Sequence, residues 1–567
     1  MPCTWTFSPA AREPEPPDLG SWAVELNVSP FLTRLLWHRG VHSLPEMDVF
    51  LSPGLRHLPS LDDWPELQRA AGELARQLER GPTVAVWGDY DVDGVTATAL
   101  LTDFLRSKGA HVLPYLPDRH GEGYGLNAEG LHHLAEQGVD LLITVDCGIS
   151  DLEAVELANQ LGMTVIVTDH HLPGAEQPRA AAVVDPKLQG GAYADAAGVG
   201  VAFLLAAALN RLLPGNAVDI RQYLDLVAIG TIADVVDLTG ANRILVKNGL
   251  LLLKEAKRPG VFALKEVSGL PPTAVMGSGQ VGFSLGPRLN AAGRMESADM
   301  ALKLLMAPDL STARPLAAEL DRLNTSRRSV EDTVLREALA QAEEQADSPG
   351  LVLFGQEWHQ GIIGIVASRI VDRYYRPTLL LTSNGDRLKG SGRSIPEFDL
   401  YRALEDCSEH LLGYGGHKQA AGLSLSPDGI EALRARFNQA VTAQLGQERC
   451  SPSLNLEASL GLNMVDLDLV KEIDMLQPFG PGNPQPLFCS QPLQVQGYKR
   501  FGKSHVSLQV RDQEAEVTML GKAWGQAEAL GPEVRGKRLQ LAFTPRLNHY
   551  NGLTSIDLTI KDWRELS

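Results

Sequence analysis

The chain has 567 residues, of which 44% are hydrophobic and 21% charged, which is typical of a globular protein. One hydrophobic core rarely supports this length, so roughly two to four domains are expected. This composition excludes a collagenous or disordered protein. A membrane-embedded protein is excluded because the longest apolar runs fall short of the roughly 18 residues that a membrane span needs. The net charge of −18 argues against a nucleic-acid binder, yet residues 489–567 carry 11 basic against 8 acidic residues. The average charge therefore does not decide the partner.

The first residues and the cysteines predict a cytoplasmic location. The first 20 residues contain Pro and acidic residues early and lack the basic-then-apolar pattern of a secretory signal. The cysteines are scattered without a close pair, which argues against a disulfide framework or a zinc knuckle and favours a reducing compartment. They are Cys3, Cys147, Cys407, Cys450 and Cys489.

The chain begins with short amphipathic helix patterns and continues with an alternation of strands and helices. Short apolar strands are predicted at 83–87, 140–145, 163–167 and 181–184, with helical patterns between them. Such alternation predicts a parallel sheet with helices on both faces. Residues 196 to about 310 are mostly helical in pattern, and a charged helix is predicted from about 312 to 346.

The second half of the chain begins with another strand–helix alternation. It includes predicted strands at 351–354 and 378–381. From about residue 451 the pattern changes to short alternating strands, at 506–510, 516–520, 539–543 and 555–560, which is typical of a small β-barrel. Five segments are predicted. They are an N-terminal helical segment (1–80) packed on the parallel-sheet domain (81–310), a connecting helix (311–347), a smaller α/β domain (348–448) and the barrel (451–567).

Acidic side chains follow three of the predicted parallel strands. The first strand runs into Asp89, Asp91 and Asp93, the second into Asp146, and the third into residues 169–171, which read Asp-His-His. Because the carboxyl ends of parallel strands meet at one edge of a sheet, five aspartates and two histidines are expected to converge there. Packing that many carboxylates is costly unless cations neutralise them. Mixed Asp and His ligands suit Mn²⁺ or Mg²⁺ better than a thiolate-bound metal.

Other interpretations of single residues stay open at this point. An Asp after a strand commonly caps the next helix, and Asp234, which follows an apolar stretch, could also be a helix cap. Residues 89–94 match the start of a calcium loop, but position 12 of that loop would be Leu100 instead of Glu. His170 and His171 point in different directions in any backbone, so only one of them is expected to be a direct ligand.

Taken together, the motifs resemble the DHH phosphoesterase superfamily. GDYDVDG, VDCG, TDHH and IADVVD occur in this order at 88–94, 145–148, 168–171 and 232–237. The further motifs are similar to those of its single-stranded-DNA-specific exonuclease family, and the resemblance covers nearly the whole chain. They are EGYGLN (122–127), GPRLNAAGRM (286–295), WHQGIIGIVASRI (358–370), SGRS (391–394) and GGHKQAAG (415–422).

The resemblance implies a metal-dependent exonuclease that hydrolyses phosphodiester bonds of single-stranded DNA from 5′ to 3′, in DNA repair and recombination. It implies an α/β fold in which a parallel-sheet DHH domain and a smaller DHH-associated domain are joined by a long helix, followed by an OB-type β-barrel. The implied cofactors are two divalent cations, Mn²⁺ or Mg²⁺. The implied state is a monomer that binds single-stranded DNA, with a single-strand-binding protein and a helicase as further partners and no membrane.

The resemblance also implies roles for individual residues. The catalytic set would be Asp89, Asp91, Asp93, Asp146, His170, His171 and Asp234. One metal would be held by Asp91 and Asp146, and the other by Asp93, Asp146, His170 and Asp234, with Asp146 bridging the two. Some DHH proteins have a metal-binding His where this chain has Trp87. Either the first metal site would be looser or more water-filled here, or Asp89 would compensate; the resemblance leaves both open.

Further residues would contact DNA. The substrate-binding set would be Arg119, Tyr124, Arg288, Ser391, Arg393, Gly415, Gly416 and His417. Arginine suits this role because its fork grips phosphate oxygens in pairs, and residues 415–417 are expected to form a glycine-flanked turn that approaches a phosphate closely. The candidates in the OB-type domain are Lys499, Arg500, Phe501, Lys503 and Tyr550, since such domains bind single strands with basic and aromatic side chains.

Two other functions share the same core. A DHH protein could act on short RNA fragments, cyclic dinucleotides or pyrophosphate, but those relatives are shorter and lack the C-terminal barrel. A catalytically dead DNA-binding scaffold should have lost metal ligands, whereas every matched acid and both histidines are present here.

Overall fold

The computed structural model describes residues 3–7, 16–119, 121–189, 191–213, 215, 218–447, 450–550 and 553–566. The chain forms two compact units. The smaller comprises Met1–Thr4 and Pro287–Pro452, and the larger comprises Trp5–Gly286 and Ser453–Ser567. Within the described ranges, no helix combines the length and the apolar character that crossing a membrane requires.

The described residues of the N-terminal part form one short strand and four α-helices. They are β1 (Thr4–Phe7), α1 (Leu19–Leu26), α2 (Pro30–His38), α3 (Leu44–Leu51) and α4 (Pro65–Leu78). The Ser29 side chain accepts a hydrogen bond from the N–H of Leu32 and so begins α2. Helices α1 to α3 bury their leucines in one hydrophobic core together with the strands of the C-terminal domain.

A five-stranded parallel sheet lies at the centre of the larger unit. Its strands are β2 (Thr83–Gly88), β3 (His111–Tyr115), β4 (Leu141–Val145), β5 (Thr164–Thr168) and β6 (Ala182–Val184). Their order is β3-β2-β4-β5-β6, and every pair is parallel. The four predicted strands are confirmed. The sequence pattern missed β3, which is an edge strand that contains Pro114 and is only partly buried.

Helices cover this sheet and continue beyond it. They are α5 (Val92–Ser107), α6 (Ala128–Glu136), α7 (Leu152–Gln160), α8 (Pro186–Gln189), α9 (Gly198–Leu212), α10 (Leu224–Ala233), α11 (Gly240–Glu255), α12 (Pro259–Val267) and α13 (Ser278–Gln280), followed by a π-helical turn at Val281–Leu285. Helix α5 is buried along most of its length, and α4, α5 and α10 all pack against α9. This packing holds the carboxyl edge of the sheet against the ends of α9 and α10.

The smaller unit begins with three helices and continues with an α/β part that contains a mixed sheet. The helices are α14 (Gly286–Met295), α15 (Asp299–Leu305) and α16 (Leu310–Glu344), the last of which confirms the predicted charged helix. The α/β part follows with β7 (Leu351–Gly355), α17 (Gln360–Tyr374), β8 (Thr378–Asn384), β9 (Arg387–Arg393), α18 (Leu400–Asp406), β10 (Gly413–His417), β11 (Ala420–Leu425) and α19 (Ile430–Leu445). The sheet order is β10-β11-β9-β8-β7, and only β7 and β8 among these strands are parallel.

The C-terminal part of the larger unit is mostly β. Its elements are β12 (Ser453–Leu456), β13 (Ala458–Ser459), α20 (Leu467–Met475), β14 (Phe488–Cys489), β15 (Leu493–Phe501), β16 (His505–Asp512), β17 (Val517–Ala523), β18 (Arg538–Tyr550) and β19 (Leu553–Leu566). Neighbouring strands pair in the order β13-β14-β18-β15-β16-β17-β19, and β18 also pairs with β19. The four predicted strands are present, and the sequence pattern missed β12 to β15.

Candidate metal centre

The acidic strand ends predicted from the sequence come together in the structure. Strands β2, β4 and β5 are neighbours in the sheet, so the residues after them lie side by side. The side chains there are buried: Asp89 is 4% exposed, Asp93 1% and Asp146 2%. Burial of three carboxylates at one sheet edge is the arrangement that the sequence predicted.

The potential ligand atoms form three overlapping groups. Within each group the atoms lie within 4.8 Å of one another. The groups are Asp89, Asp91 and Asp146; Asp93, His170 and Asp234; and Asp146, His170 and His171. Asp146 and His170 each belong to two groups, so one continuous cluster links all seven side chains.

His170 lies at the centre of this cluster. Its Nε2 is 3.0 Å from Asp146 Oδ1, 3.5 Å from Asp234 Oδ2 and 3.8 Å from Asp93 Oδ2. In the described part of the chain, Nε2, Asp146 Oδ1 and Asp234 Oδ2 are buried without a hydrogen-bond partner. Buried polar atoms are normally paired, so a partner beyond the described protein atoms is expected for these three. A divalent cation fits that requirement, because all three atoms are hard or borderline donors.

The electrostatics of the cluster lead to the same conclusion. Burial, followed by repulsion from Asp91, raises the pKa of Asp89 to about 8, and burial and Asp91 together raise the pKa of Asp234 to about 7. Burial and the neighbouring carboxylates also raise the pKa values of Asp93 and Asp146 well above their usual range. Burial lowers the pKa of His170 to about 3. The metal-free cluster therefore holds protons on carboxylates that cations could replace.

Two of the carboxylates are fixed by helix N-termini. Asp91 caps α5, since its Oδ1 accepts hydrogen bonds from the N–H groups of Asp93 and Gly94. The carboxylate of Asp93 accepts from the N–H groups of Gly198 and Val199 at the start of α9, at 2.6 and 2.9 Å. A helix N-terminus favours negative charge, so both carboxylates are held in place. Asp91 therefore caps a helix, as one interpretation of the sequence predicted, and this does not exclude a role as metal ligand. Asp234 does not cap a helix N-terminus, because it lies at the C-terminal end of α10.

Asp169 holds the double-histidine segment. Its Oδ1 accepts hydrogen bonds from the N–H groups of His170 and His171, and its Oδ2 accepts from the N–H of Ile149. Oδ1 also lies 2.8 Å from Nδ1 of His171. Burial lowers the pKa of His171, but the bond to Asp169 outweighs it and raises that pKa to about 9. The sequence placed Asp169 at the edge without a role, and its position before two histidines was the available signal.

The side chain of Asp89 belongs to the acidic cluster, whereas that of Trp87 does not. The Trp87 ring is fully buried and stacks on Tyr115, with ring centroids 4.2 Å apart. Asp89 instead groups with Asp91 and Asp146, and its Oδ1 is buried without a hydrogen-bond partner among the described residues. Asp89 therefore supplies a buried carboxylate oxygen at this point of the edge.

Two predicted DNA contacts of the larger unit lie at the same edge. The Tyr124 hydroxyl is 3.2 Å from Nδ1 of His171 and donates to the backbone oxygen of Asp146 at 3.4 Å. The Arg119 guanidinium lies over the ring of Tyr90, with Cζ 4.8 Å from the ring centroid. Tyr90 itself lies between Asp89 and Asp91 in the chain.

The predicted DNA contacts of the smaller unit are divided between α14 and the sheet. Arg288 forms a salt bridge with Asp321 of α16 at 2.8 Å. Four predicted residues lie on one face of the neighbouring strands β9, β11 and β10: Ser391, Arg393, Gly415 and His417. Arg393 and His417 both pair with Ala420 of β11, and Ser391 and Gly415 both pair with Gly422. The opposite face carries Leu388, Leu423 and Leu425, which are buried.

The predicted turn at residues 415–417 is wrong, because these residues end strand β10. The turn of the hairpin consists of Lys418 and Gln419, which link His417 to its pairing partner Ala420. Gly416 has a φ of 135°, and a Cβ atom there would lie 2.4 Å from the backbone oxygen of Ala420. Glycine is needed here for the close approach of two strands.

The C-terminal domain presents an aromatic cluster beside basic residues. Phe501, His505 and Trp524 have ring centroids 4.9 to 5.3 Å apart, and Trp524 is 52% exposed. Lys499, Arg500 and Lys503 are exposed around Phe501. The sequence analysis missed Trp524, although its place near the end of an alternating strand was a signal. The side chain of Tyr550 lies outside the described residues.

Comparison with known proteins identifies the family. Residues 83–231 match the model of the DHH family, N-terminal domain; residues 347–443 match the DHHA1 domain, and residues 456–562 the RecJ OB domain. The single-stranded-DNA-specific exonuclease RecJ of Bacillus subtilis is 35% identical over 558 residues, which is 97% of this chain and 70% of that protein.

Solved structures agree with this match. RecJ of Thermus thermophilus in complex with Mn²⁺ has a TM-score of 0.85 and 32% identity, covering 100% of this chain and 80% of the other. The Mg²⁺ complex has a TM-score of 0.79 and 31% identity, with coverages of 100% and 79%. The parallel-sheet domain, the long helix and the C-terminal OB domain are thus the parts of a known architecture, and the chain belongs to the RecJ family of DHH proteins.

Proposed function

We propose that this chain is a metal-dependent exonuclease that degrades single-stranded DNA from the 5′ end. The observation that carries the proposal is the set of three carboxylates around the unpaired Nε2 of His170. The relatives named as single-stranded-DNA-specific exonucleases support the substrate, and the relatives solved with Mn²⁺ and Mg²⁺ support the metals. The 5′-to-3′ polarity belongs to the proposal.

In this proposal the cluster holds two cations. One cation would be held by Asp91 and Asp146, with Asp89 beside them, and these three side chains form one group of ligand atoms. The other would be held by Asp93, His170 and Asp234, which form a second group, together with Asp146, whose Oδ1 lies 3.0 Å from Nε2 of His170. Two such cations supply a water nucleophile at neutral pH and stabilise the leaving oxygen of a phosphodiester. Asp146 belongs to both sets, and its φ of 64° fixes the turn from which its side chain reaches both.

The chain's own groups then position the DNA. His171 keeps its proton at neutral pH because Asp169 accepts from it, so it presents a positive charge beside the carboxylates to a phosphate oxygen. The Tyr124 hydroxyl next to it would exchange its long bond to the backbone oxygen of Asp146, 3.4 Å, for one to the same phosphate. Arg119 would bind the leading phosphate, and Arg288, Ser391, Arg393, Gly415, Gly416 and His417 would contact the backbone.

The proposal extends to partners and context. Phe501 and Trp524 would stack on bases while Lys499, Arg500 and Lys503 neutralise phosphates. The same proposal includes a monomeric state, a single-strand-binding protein and a helicase as partners, roles in repair and recombination, and a cytoplasmic location. It also includes the domain limits 1–80, 81–310, 311–347, 348–448 and 451–567.

Digestion of end-labelled DNA tests the function. A single strand labelled at its 5′ end should release labelled mononucleotides at once with Mn²⁺ or Mg²⁺, and a 3′-labelled strand should release its label last. Circular single strands and blunt duplexes should resist. A preparation of the Asp146→Ala variant controls for contaminating nucleases. Cleavage of circles at the rate of linear strands, or early release of the 3′ label, would overturn the proposal.

A further inference from the structure

Tyr90 contacts Arg119, the residue that the proposed function places on the leading phosphate. The residue lies between Asp89 and Asp91, and its side chain is half-buried. The guanidinium of Arg119 lies over its ring, with Cζ 4.8 Å from the centroid. The ring of Tyr124 meets that of Tyr90 edge-on, at 6.5 Å between centroids.

No described residue accepts a hydrogen bond from the N–H groups of Arg119. Among the residues that the structure describes, Arg119 takes part in neither a hydrogen bond nor a salt bridge, and its contact is the ring of Tyr90. Its charge nevertheless reaches Asp89, because it opposes the rise that burial and Asp91 cause in the pKa of that carboxyl. Arg119 is therefore close to the acidic cluster without pairing with it.

An arginine next to several carboxylates normally forms a two-pronged ion pair with one of them. Such a pair would occupy the N–H donors of Arg119 and would withdraw a carboxylate from the cations. The face of an aromatic ring attracts a guanidinium through its electron density and leaves the in-plane N–H donors unoccupied. A ring at position 90 thus restrains the guanidinium and keeps its donors available.

We propose that Tyr90 is a positioning residue that holds Arg119 by its ring face, so that the guanidinium is ready to bind the terminal phosphate of the DNA strand. This inference rests on the proposed function. The ring is the essential part of Tyr90 in this role, and the hydroxyl is dispensable.

Binding without hydrolysis gives the cleanest test. A 3′-fluorescein oligonucleotide with either a 5′-phosphate or a 5′-hydroxyl is titrated in the absence of divalent metal, and anisotropy is followed. Tyr90→Leu should weaken binding of the phosphorylated strand by about 2- to 30-fold, the range that a cation–π contact spans. It should leave binding of the hydroxyl strand unchanged. Tyr90→Phe should match the wild type on both strands.

A double-mutant cycle tests the link to Arg119. In an Arg119→Ala background, Tyr90→Leu should have no further effect on the phosphorylated strand, because the two residues act as one unit. In hydrolysis, Tyr90→Leu should raise KM for the phosphorylated strand and leave kcat unchanged.

Three results would overturn the inference. Tyr90→Phe could be as impaired as Tyr90→Leu, which would assign the role to the hydroxyl. Tyr90→Leu could lower kcat equally on both strands and weaken Mn²⁺ binding measured by calorimetry, which would indicate damage to the metal cluster. The effects of Tyr90→Leu and Arg119→Ala could also add fully. Failure of the proposed function is distinct from these, since the wild-type protein would then not digest single strands.

Discussion

Gly198 lies against Asp146 so closely that a Cβ atom at position 198 would be 2.6 Å from the Cβ of Asp146 and 2.7 Å from its Oδ1. Gly198 is the first residue of α9, and its N–H also donates to Asp93. Because both neighbours belong to the acidic cluster, we expect Gly198→Ala to displace ligands by a large fraction of an ångström. Displacement on this scale costs on the order of 10²-fold in rate, which steady-state hydrolysis of single strands would show.

Gly200→Ala is the matched control for this change. It adds the same methyl group to the same helix, but the nearest atom, the Cβ of Ala196, would lie 3.7 Å away, which is an ordinary contact. We expect it to keep wild-type activity. Equal rates in the two variants would mean that the position of Asp146 is not limiting.

Asp146→Ala should abolish hydrolysis, because this carboxylate belongs to two of the three ligand groups. We expect a loss of at least about 10²-fold in kcat and fewer Mn²⁺ ions bound in calorimetry. The fold should remain, since the change removes one carboxylate from a set whose members repel one another. Glu153→Ala, an exposed acid on α7, controls for charge. A variant that keeps more than about a tenth of the rate at saturating metal would contradict the bridging role.

Asp169→Asn should lower activity without removing a ligand atom. Asp169 raises the pKa of His171 to about 9, so the variant should return that pKa towards 6.5. NMR titration of the metal-free protein would measure the shift. Groups that orient ligands typically contribute about 10- to 100-fold to metal affinity or activity, and we expect a loss in this range. Asp140→Asn, which affects a carboxylate bonded to the N–H of Thr83, should leave both properties unchanged.

The stability of the metal-free protein should fall as the pH rises from about 6 to 9. Asp234 and Asp89 have folded-state pKa values of about 7 and about 8, above the value of 3.8 for a free Asp. A raised folded-state pKa favours the folded protein below that pKa and ceases to do so above it. Thermal unfolding at both pH values measures the effect, and Asp89→Asn should reduce the slope.

Mn²⁺ should reverse this dependence, because a cation replaces the protons and binds more tightly as the pH rises. We expect the increase in melting temperature on adding Mn²⁺ to be larger at pH 9 than at pH 6, within the range where the metal stays soluble. An increase that does not change with pH would show that Asp89 and Asp234 are already ionised in the metal-free protein.

Trp524→Ala should weaken binding of single-stranded DNA, because stacking on an aromatic residue contributes about 1–3 kcal/mol per base. Anisotropy should therefore report a loss of about 5- to 150-fold. Trp524→Phe should retain part of the affinity, and Leu520→Ala, at another exposed apolar position, should retain all of it. An unchanged affinity in Trp524→Ala would remove the aromatic cluster from the DNA site.

Point variants are preferable to deletion of the C-terminal domain. Helices α1 to α3 bury Leu32, Leu35 and Leu36 in a core that contains strands of that domain. Arg39 of the N-terminal part also forms a salt bridge with Glu457. Removing residues from 451 onward would expose this core, so a loss of binding would not separate a DNA contact from unfolding.

The sequence alone determined the parts of this protein that depend on local pattern. Apolar runs of strand length fixed β2, β4, β5 and β6, and the rule that parallel strands end at one edge predicted that Asp89, Asp93, Asp146 and His170 would meet. The predicted turn at residues 415–417 was wrong, because a glycine-rich segment can equally be a strand that approaches its neighbour closely.

Only the tertiary structure decided which groups face one another across that edge. Asp169 and Asp89 look alike in the sequence. In the structure, Asp169 accepts hydrogen bonds from backbone N–H groups and contacts His171, whereas Oδ1 of Asp89 has no hydrogen-bond partner among the described residues. The contact of Tyr90 with Arg119 joins residues from two different loops. Local periodicity records which side of an element is buried, but hydrogen-bond partners are set by atoms that folding brings together from distant parts of the chain.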